Sequence, residues 1–532
     1  MRGGISALVC VVVSVALSFT VSSTSGAARL VRSSKPDTGG TLIFLTPTNP
    51  GTLDPIVQNL TPTQNIDRLA YDTVVNENAR GRIISGLADK WLQSGNTYTF
   101  TIRRGITCST GAALTASTVA NNISYEVNPA SHSDHVTIEI PKGATAVADA
   151  ATSTVKITLP GPWPFFLQDL AQMKIVCTKG LSDPSILAQG TDGSGPFVLS
   201  KSVPGSQYTF TVRKGYHWGP AGASTDVTGM PGKITVKVVT TVTTAATELL
   251  TGEANIAAVS GPEESKLKSA GLYRVNSPYP FGELWFNQAP GRPTATESVR
   301  RALVMGLDRS LVGKVLTEGQ GEPGTGMVTE VPKACSGNTA KGAFPAYDPS
   351  KAKKVLTKAG WKVSKGGVRA KAGKQLSLTV FYLTTAGGDP TDAFALASEE
   401  WRKLGVKVNL KPDTGGAIVG VMSSNGAWDV VNIGNSVGTP NTTVGFVSGP
   451  PAPKGKNWFH VDNPTYNALV AAARTKPGTS GCSDWKKATV ALFHAFDVVP
   501  FENMLSPTWG RDAKFSLLDT SIVPTSLRLY KS

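Results

Sequence analysis

The sequence predicts an α/β protein of more than one domain, and three observations carry that reading. Strand-like and helix-like segments alternate along 532 residues with no fixed short repeat. Near residues 376–410, "LSLTVFYL", "DAFALASEEWRKLG" and "VKVNL" read as strand, helix and strand, the signature of a right-handed crossover between parallel strands. The chain is also too long for one ordinary core, so it must divide into at least two domains or lobes.

Each element rests on local chemistry. "TLIFLTP" (41–47) is a buried strand running into the turn "TNPGTLDP". "NIDRLAYDTVV" is a helix candidate, with Ile66, Leu69, Ala70 and Val74 near helical spacing. "TYTFTIRRG" alternates as a strand, and Thr115 opens a helix through "ASTVANNISYEV". "ATSTVKITLP" alternates again. "YTFTVRKG" (208–215) then nearly copies "YTFTIRRG" (98–105); two copies so far apart are two strands with one wet and one buried face, not a solenoid. Gly193, Gly195, Pro196 and Pro204 mark a turn-rich joint. "ATELLTGEANIAAVS" gives a helix, a stop at Gly252 and a short strand. Val299, Leu303, Leu307, Leu311 and Val315 form one helical stripe. In "YDPSKAKKVLTKAGW", Asp348 caps a helix, Pro349 fits its first turn and Gly360 takes positive φ after its end.

The N-terminus reads as a secretory signal over residues 1–27: Arg2, then the apolar run "ALVCVVVSVALSF", then small residues, with Ser25 and Ala27 suited to cleavage before Ala28. The run is shorter than the roughly 20 residues that span a bilayer. Cys10 lies within it, too early to carry a lipid comfortably. Export leaves four cysteines, Cys108, Cys177, Cys335 and Cys482, and an even number outside the cytoplasm favours disulfides. No CxxC pair suggests zinc, and three pairings stay open. The formal net charge is +15, with a pI of about 9.5. Only 17% of residues are charged and no basic block interleaves with aromatics, so nucleic acid is not the expected partner. The acid-free run from Lys351 to Lys374 reads as a solvated helix and loop, with weak attraction to an anionic cell surface as the functional alternative.

One segment could carry catalysis. Gly434, Asn435, Ser436, Val437 and Gly438 spell G-x-S-x-G after the strand "WDVVNI", and Asp484 and His494 follow in order for a triad, which makes a secreted serine hydrolase the alternative. A helix must follow such a serine, however, and Pro440 with the β-branched Thr442, Thr443 and Val444 opposes one. His132 and His135 in "HSDH" sit in a loop without a third ligand nearby and read as a solvated turn. Neither a phosphate-binding loop nor a dinucleotide fingerprint is present.

Seven segments in order, "ISGLADKW", "YTFTIRRGITCSTGAALTASTV", "GSGPFVLSKSVPGS", "LLTGEANIA", "WFNQAPGRPTATESVRRALVMGLDRSLV", "AYDPSKAKKVLTKAGW" and "WRKLGVKVNL", resemble the extracytoplasmic solute-binding proteins of family 5, the oligopeptide, dipeptide and nickel receptors of ABC importers. The resemblance covers most of residues 40–510. It implies a two-lobed periplasmic-binding-protein fold of class II type, with an extra subdomain in the first lobe. The corresponding divisions are 38–65, 190–281 and 498–532 for the lobe I core, 66–189 for the subdomain and 282–497 for lobe II. It pairs Cys108 with Cys177 and Cys335 with Cys482.

The same resemblance implies a monomer without catalysis, cofactor or metal, outside the cytoplasm, which closes on a peptide-like or other small solute and delivers it to ABC permease subunits. By that resemblance the ligand positions are Asn49, Asn121, Trp285, Asn435, Ser436 and Gly438. Peptide-binding relatives hold the ligand ammonium with an aspartate at the position of Gly438. Its absence here, with neutral Asn49, Asn435 and Ser436, implies weak binding of free-amino di- and tripeptides.

Overall fold

The computed structural model describes residues 35–58, 61–329, 331–384, 388–413, 415–424, 427–435, 437–518 and 520–531, so the signal segment and Ser436 lie outside the described residues. The first strand, β1 (Thr41–Thr46), buries Leu42, Phe44, Leu45 and Thr46. It pairs in parallel with Lys233–Val238 on one side and Ile256–Ala258 on the other. Helix α1 (Thr61–Ala70) follows. It starts before and ends earlier than the sequence suggests: Pro62 suits a first turn, and the β-branched Val74 and Val75 lead instead into β2 (Val75–Glu77).

Two long strands cross the molecule. Tyr273–Phe286 and Val498–Gly510 run antiparallel, from Tyr273 opposite Gly510 to Trp285 opposite Val498. At one end Val498–Gly510 pairs with Ile256–Ala258, and at the other Tyr273–Phe286 pairs with Val430–Asn432. A single mixed sheet therefore runs from Lys407–Asp413 through Ser377–Leu383, Val430–Asn432, the crossing strands, Ile256–Ala258 and β1 to Phe197–Val203. Ser377–Leu383 is parallel to both its neighbours, with helix Pro390–Lys403 as the expected crossover. Trp401 on that helix is fully buried and donates to the Leu303 carbonyl at 3.0 Å.

The extra subdomain is a four-stranded antiparallel sheet covered by α2 (Ala116–Glu126), whose Thr115 N–H donates to the Thr118 hydroxyl at 3.2 Å. α3 (Phe166–Leu170) packs against β2. The two "YTFT" segments become strands of different sheets. Tyr98 and Phe100 are buried in the subdomain core, and Tyr208 and Phe210 in the lobe I core. Cys108 and Cys177 pair at a Cα–Cα separation of 6.1 Å, and Cys335 and Cys482 at 5.2 Å.

The stripe from Val299 to Val315 is not one helix. It splits into Glu297–Met305 and Arg309–Leu316, because Gly306 packs directly on Leu404 and Asp308 caps the second helix through Leu311 N–H at 3.0 Å. Leu311 is consequently exposed. The Pro349–Lys358 helix has the expected ends: Asp348 accepts from Lys351 N–H at 2.8 Å, and Gly360 has φ +90°.

Candidate functional site: the cleft at the crossing strands

β1 lies between strands reached by connections to opposite sides, a topological switch point, and open α/β sheets bind ligands beyond the carboxyl ends of such strands. A cavity of about 400 Å³ opens there. Its walls include Thr46 and Thr48 from the end of β1, Asn65 from α1, and Thr520 from the C-terminal segment. The crossing strands supply Ser277, Ser506 and Thr508. Ser277 and Ser506 stand directly opposite each other in the register, and alternation along the strand puts Thr508 on the same face as Ser506. Asn65 also ties the wall together, its Oδ1 accepting from Ile522 N–H at 3.2 Å. Among the described residues no charged side chain lines this cavity.

The loop after Val430–Asn432 meets the crossing strands close by. Gly434 packs so tightly that a Cβ would collide with the Pro280 carbonyl. Asn435 donates its backbone N–H to Glu283 Oε2 at 2.8 Å, and Trp285 Nε1 donates to the Ile433 carbonyl at 2.9 Å. Glu283 is fully buried, and burial pushes its carboxyl up to about 8 against the hydrogen bonds from Asn435 and Trp285. Gly438 accepts from Ala334 N–H at 3.1 Å, which anchors the far end of the loop to lobe II.

Trp285, Asn435 and Gly438 thus share one corner of the molecule. Trp285 is a core side chain, 1% exposed and stacked on Phe459 with centroids 4.3 Å apart. Asn49 lies at the surface beyond the cavity wall, accepting from Gly51 N–H and the Tyr208 hydroxyl, each at 3.2 Å. Asn121 faces solvent on α2, while its neighbour Asn122 is buried and bonded to both backbone groups of Val176. The serines and threonines of the cavity and Glu283 escaped sequence reading. A hydroxyl in an alternating strand carries no local mark of a cleft, and an acid flanked by apolar residues could have been noticed at "GELWF".

The model of the bacterial extracellular solute-binding proteins, family 5 Middle, matches residues 82–449. The chain belongs to this family. It is 27% identical over 383 residues to the nickel-binding periplasmic protein of Escherichia coli (strain K12), covering 68% of this chain and 69% of that protein. It is 30% identical over 322 residues to the glutathione-binding protein GsiB of Salmonella choleraesuis (strain SC-B67), covering 58% of this chain and only 59% of that relative. A substrate-binding protein from Microbacterium hydrocarbonoxydans complexed with 4-hydroxybenzoate hydrazide superposes with a TM-score of 0.68 at 25% identity, over 92% of this chain and 100% of that one. NikA from Brucella suis in complex with Fe(III)-EDTA shares the fold, with a TM-score of 0.73 at 20% identity, over 92% and 99%.

In this family 5 protein the features that suggested other chemistry have structural explanations. Asp484 and His494 both lie on the helix Cys482–His494, roughly 15 Å apart at 1.5 Å per residue, and Asp484 is paired with Lys476. The segment after the GNSVG loop forms a 3-10 turn, Pro440–Thr443, and a four-residue helix, Val444–Val447, rather than the long helix a nucleophile elbow needs. "HSDH" is not a solvated turn throughout: His132 is exposed, but His135 is 2% exposed, with Nδ1 3.0 Å from Glu126 and Nε2 3.6 Å from Glu139. Burial opposes its charge, yet the Glu126 hydrogen bond and the two carboxylates prevail and push the imidazole up to about 9. No group of three potential ligands could hold a metal ion among the described residues. Asp429, an acid near the cleft loop, is occupied by Thr379 N–H at 2.8 Å and Arg292 at 3.7 Å.

Proposed function

We propose that the protein is an exported receptor of an ABC importer. It captures a small, predominantly neutral solute between its lobes, does no chemistry on it, and presents it to permease subunits. The observation that carries the ligand class is the cavity of about 400 Å³ walled by hydroxyls, an amide and apolar groups, with no charged side chain among the described residues. That volume falls within the roughly 300–1,000 Å³ usual for small-molecule sites. A free ammonium enclosed there would lack a counter-charge, at a cost of several kcal/mol. Family membership supports the receptor role, and the periplasmic relatives support a place outside the cytoplasm. No helix among the described residues is long and apolar enough to cross a membrane.

A thermal-shift screen tests this reading, since binding stabilises by about 2.7 kcal/mol at a hundredfold excess over Kd. Peptides with blocked amino termini and neutral polar solutes should raise the melting temperature more than free-amino counterparts. Ser277→Trp, which fills the cavity, should abolish the shift. A large shift from a simple free dipeptide at micromolar concentration would overturn the ligand class, and a shift that survives Ser277→Trp would move the site elsewhere.

A further inference from the structure

A second cavity, of about 260 Å³, lies wholly within lobe I and its subdomain and shares no lining residue with the cleft. α1 and the C-terminal segment stand between the two, giving Asn65 and Ile522 to the cleft but Arg68 and Val523 to the second cavity. Glu77, at the end of β2, lines it. This side chain is 6% exposed, and its Oε1 is buried without a hydrogen-bond partner. Burial raises its carboxyl to about 8. A buried acid without a partner is costly to keep, and here it borders an open space.

The same cavity carries cations on another wall. Lys174 is 6% exposed and donates to the Gln172 carbonyl at 2.6 Å, with Arg68 beside it. Burial, and Arg68 next, lower the Lys174 ammonium to about 8, while Asp67 acts in the opposite direction. The backbone of Lys174 bridges Thr73, four residues before Glu77, so neighbouring stretches of chain carry both walls of the cavity. Between them the lining is mainly apolar, including Ile84, Leu517 and Val523. The other acids near Glu77 are accounted for. Asp72 accepts from Tyr216, Ser194 and Trp218, and Asp169 on the packed α3 accepts from Trp163 Nε1 at 2.6 Å, with burial pushing its carboxyl well above the usual carboxylate range.

We propose that this cavity is a second binding site, separate from the cleft, for a small zwitterion whose ammonium meets Glu77 and whose carboxylate meets Lys174 and Arg68 across a short apolar body. The ammonium supplies the charge that the Glu77 wall lacks, the carboxylate adds to the anionic surroundings that Asp67 and Glu139 already give Lys174, and the middle covers apolar surface. Opposite charges within one small ligand distinguish it from the neutral solute of the cleft, so the proposal does not rest on that reading. Seating the ammonium on Glu77 displaces the proton that this carboxyl carries at neutral pH.

Isothermal titration calorimetry of the mature protein at pH 7, in buffers of different ionisation enthalpy, tests this with 6-aminohexanoate as probe and hexylamine and hexanoate as single-ended controls. The zwitterion should bind one to one with release of about one proton, and each control should bind at least about tenfold more weakly. Glu77→Gln, which keeps the shape, should weaken binding at least about tenfold and abolish proton release, with its melting temperature reporting that it folds. Ser506→Trp, which fills the cleft, should leave the signal intact. Equal binding of a control, a Glu77→Gln variant that binds and releases protons like the wild type, loss with Ser506→Trp, or no binding at millimolar probe would each overturn the proposal.

Discussion

Glu283 shows how one buried residue can anchor a loop. It sits on a crossing strand and holds the loop after Val430–Asn432 through Asn435 N–H. Its carboxyl is raised from 4.5 to about 8 by burial, so the folded protein keeps a proton that the unfolded chain loses above pH 4.5. The stability contributed by that proton is complete below pH 4.5 and drains away as pH climbs towards 8, by at most about 1.4 kcal/mol per pH unit. Glu283→Gln can still accept from Asn435 and has no proton to lose. Its melting temperature should match the wild type near pH 4.5 and exceed it increasingly up to pH 8. A difference that stays constant across that range would show that Glu283 is ionised in the fold. Below pH 4.5, where the carboxyl carries its proton in both states, Glu283→Ala leaves the Asn435 N–H unpaired beside a void and should cost about 2–3 kcal/mol.

At the scale of elements, the turn leading into α3 reaches across to lobe II. Phe165 is fully buried, not in its own subdomain but in the cluster containing Trp485, with ring centroids 6.0 Å apart. Pro164 O accepts from Gly478 N–H beside it. An aromatic pair contributes about 0.5–1.5 kcal/mol beyond its buried area, and this one exists only while the two lobes touch. Phe165→Ala should therefore shift the balance towards separated lobes. Ligand affinity should fall about tenfold, equivalent to 1.4 kcal/mol, and small-angle scattering of the unliganded protein should give a larger radius of gyration. Unchanged affinity and radius would reduce the contact to local packing.

For the whole molecule, the covalent links stay within its parts. Cys108–Cys177 is confined to the subdomain core and Cys335–Cys482 to the lobe II core, so neither bridge ties one lobe to the other. Among the described residues, only the crossing strands carry the sheet from lobe I to lobe II. In the chain-entropy model, loops of 69 and 147 residues contribute about 4 and 5 kcal/mol as upper figures. Alkylation of the native mature protein without reductant should add no mass. Reduction should lower the melting temperature by calorimetry, yet leave the ligand Kd unchanged at temperatures where the reduced protein stays folded. A weakened Kd would mean that the bridges restrain closure after all.

The sequence by itself determined what depends on neighbours along the chain. The alternation of Tyr98, Phe100 and Ile102, and of Tyr208 and Phe210, specified strands with one buried face; Asp348, Pro349 and Gly360 specified the two ends of a helix; and seven ordered segments specified the family. These signals are local because side-chain period and backbone capping act over a few residues. The tertiary structure alone decided which of these faces meet. It split the Val299–Val315 stripe by pressing Gly306 against Leu404, sent Trp285 into the core, and buried His135 between two glutamates. It also set Ser277 opposite Ser506, 229 positions away in the chain, and brought Glu77, Lys174 and the C-terminal segment around one cavity. Periodicity tells a chain to bury a face. Long-range packing and strand register choose the partner, because apolar surface is satisfied by any well-fitting neighbour and only the assembled fold selects one.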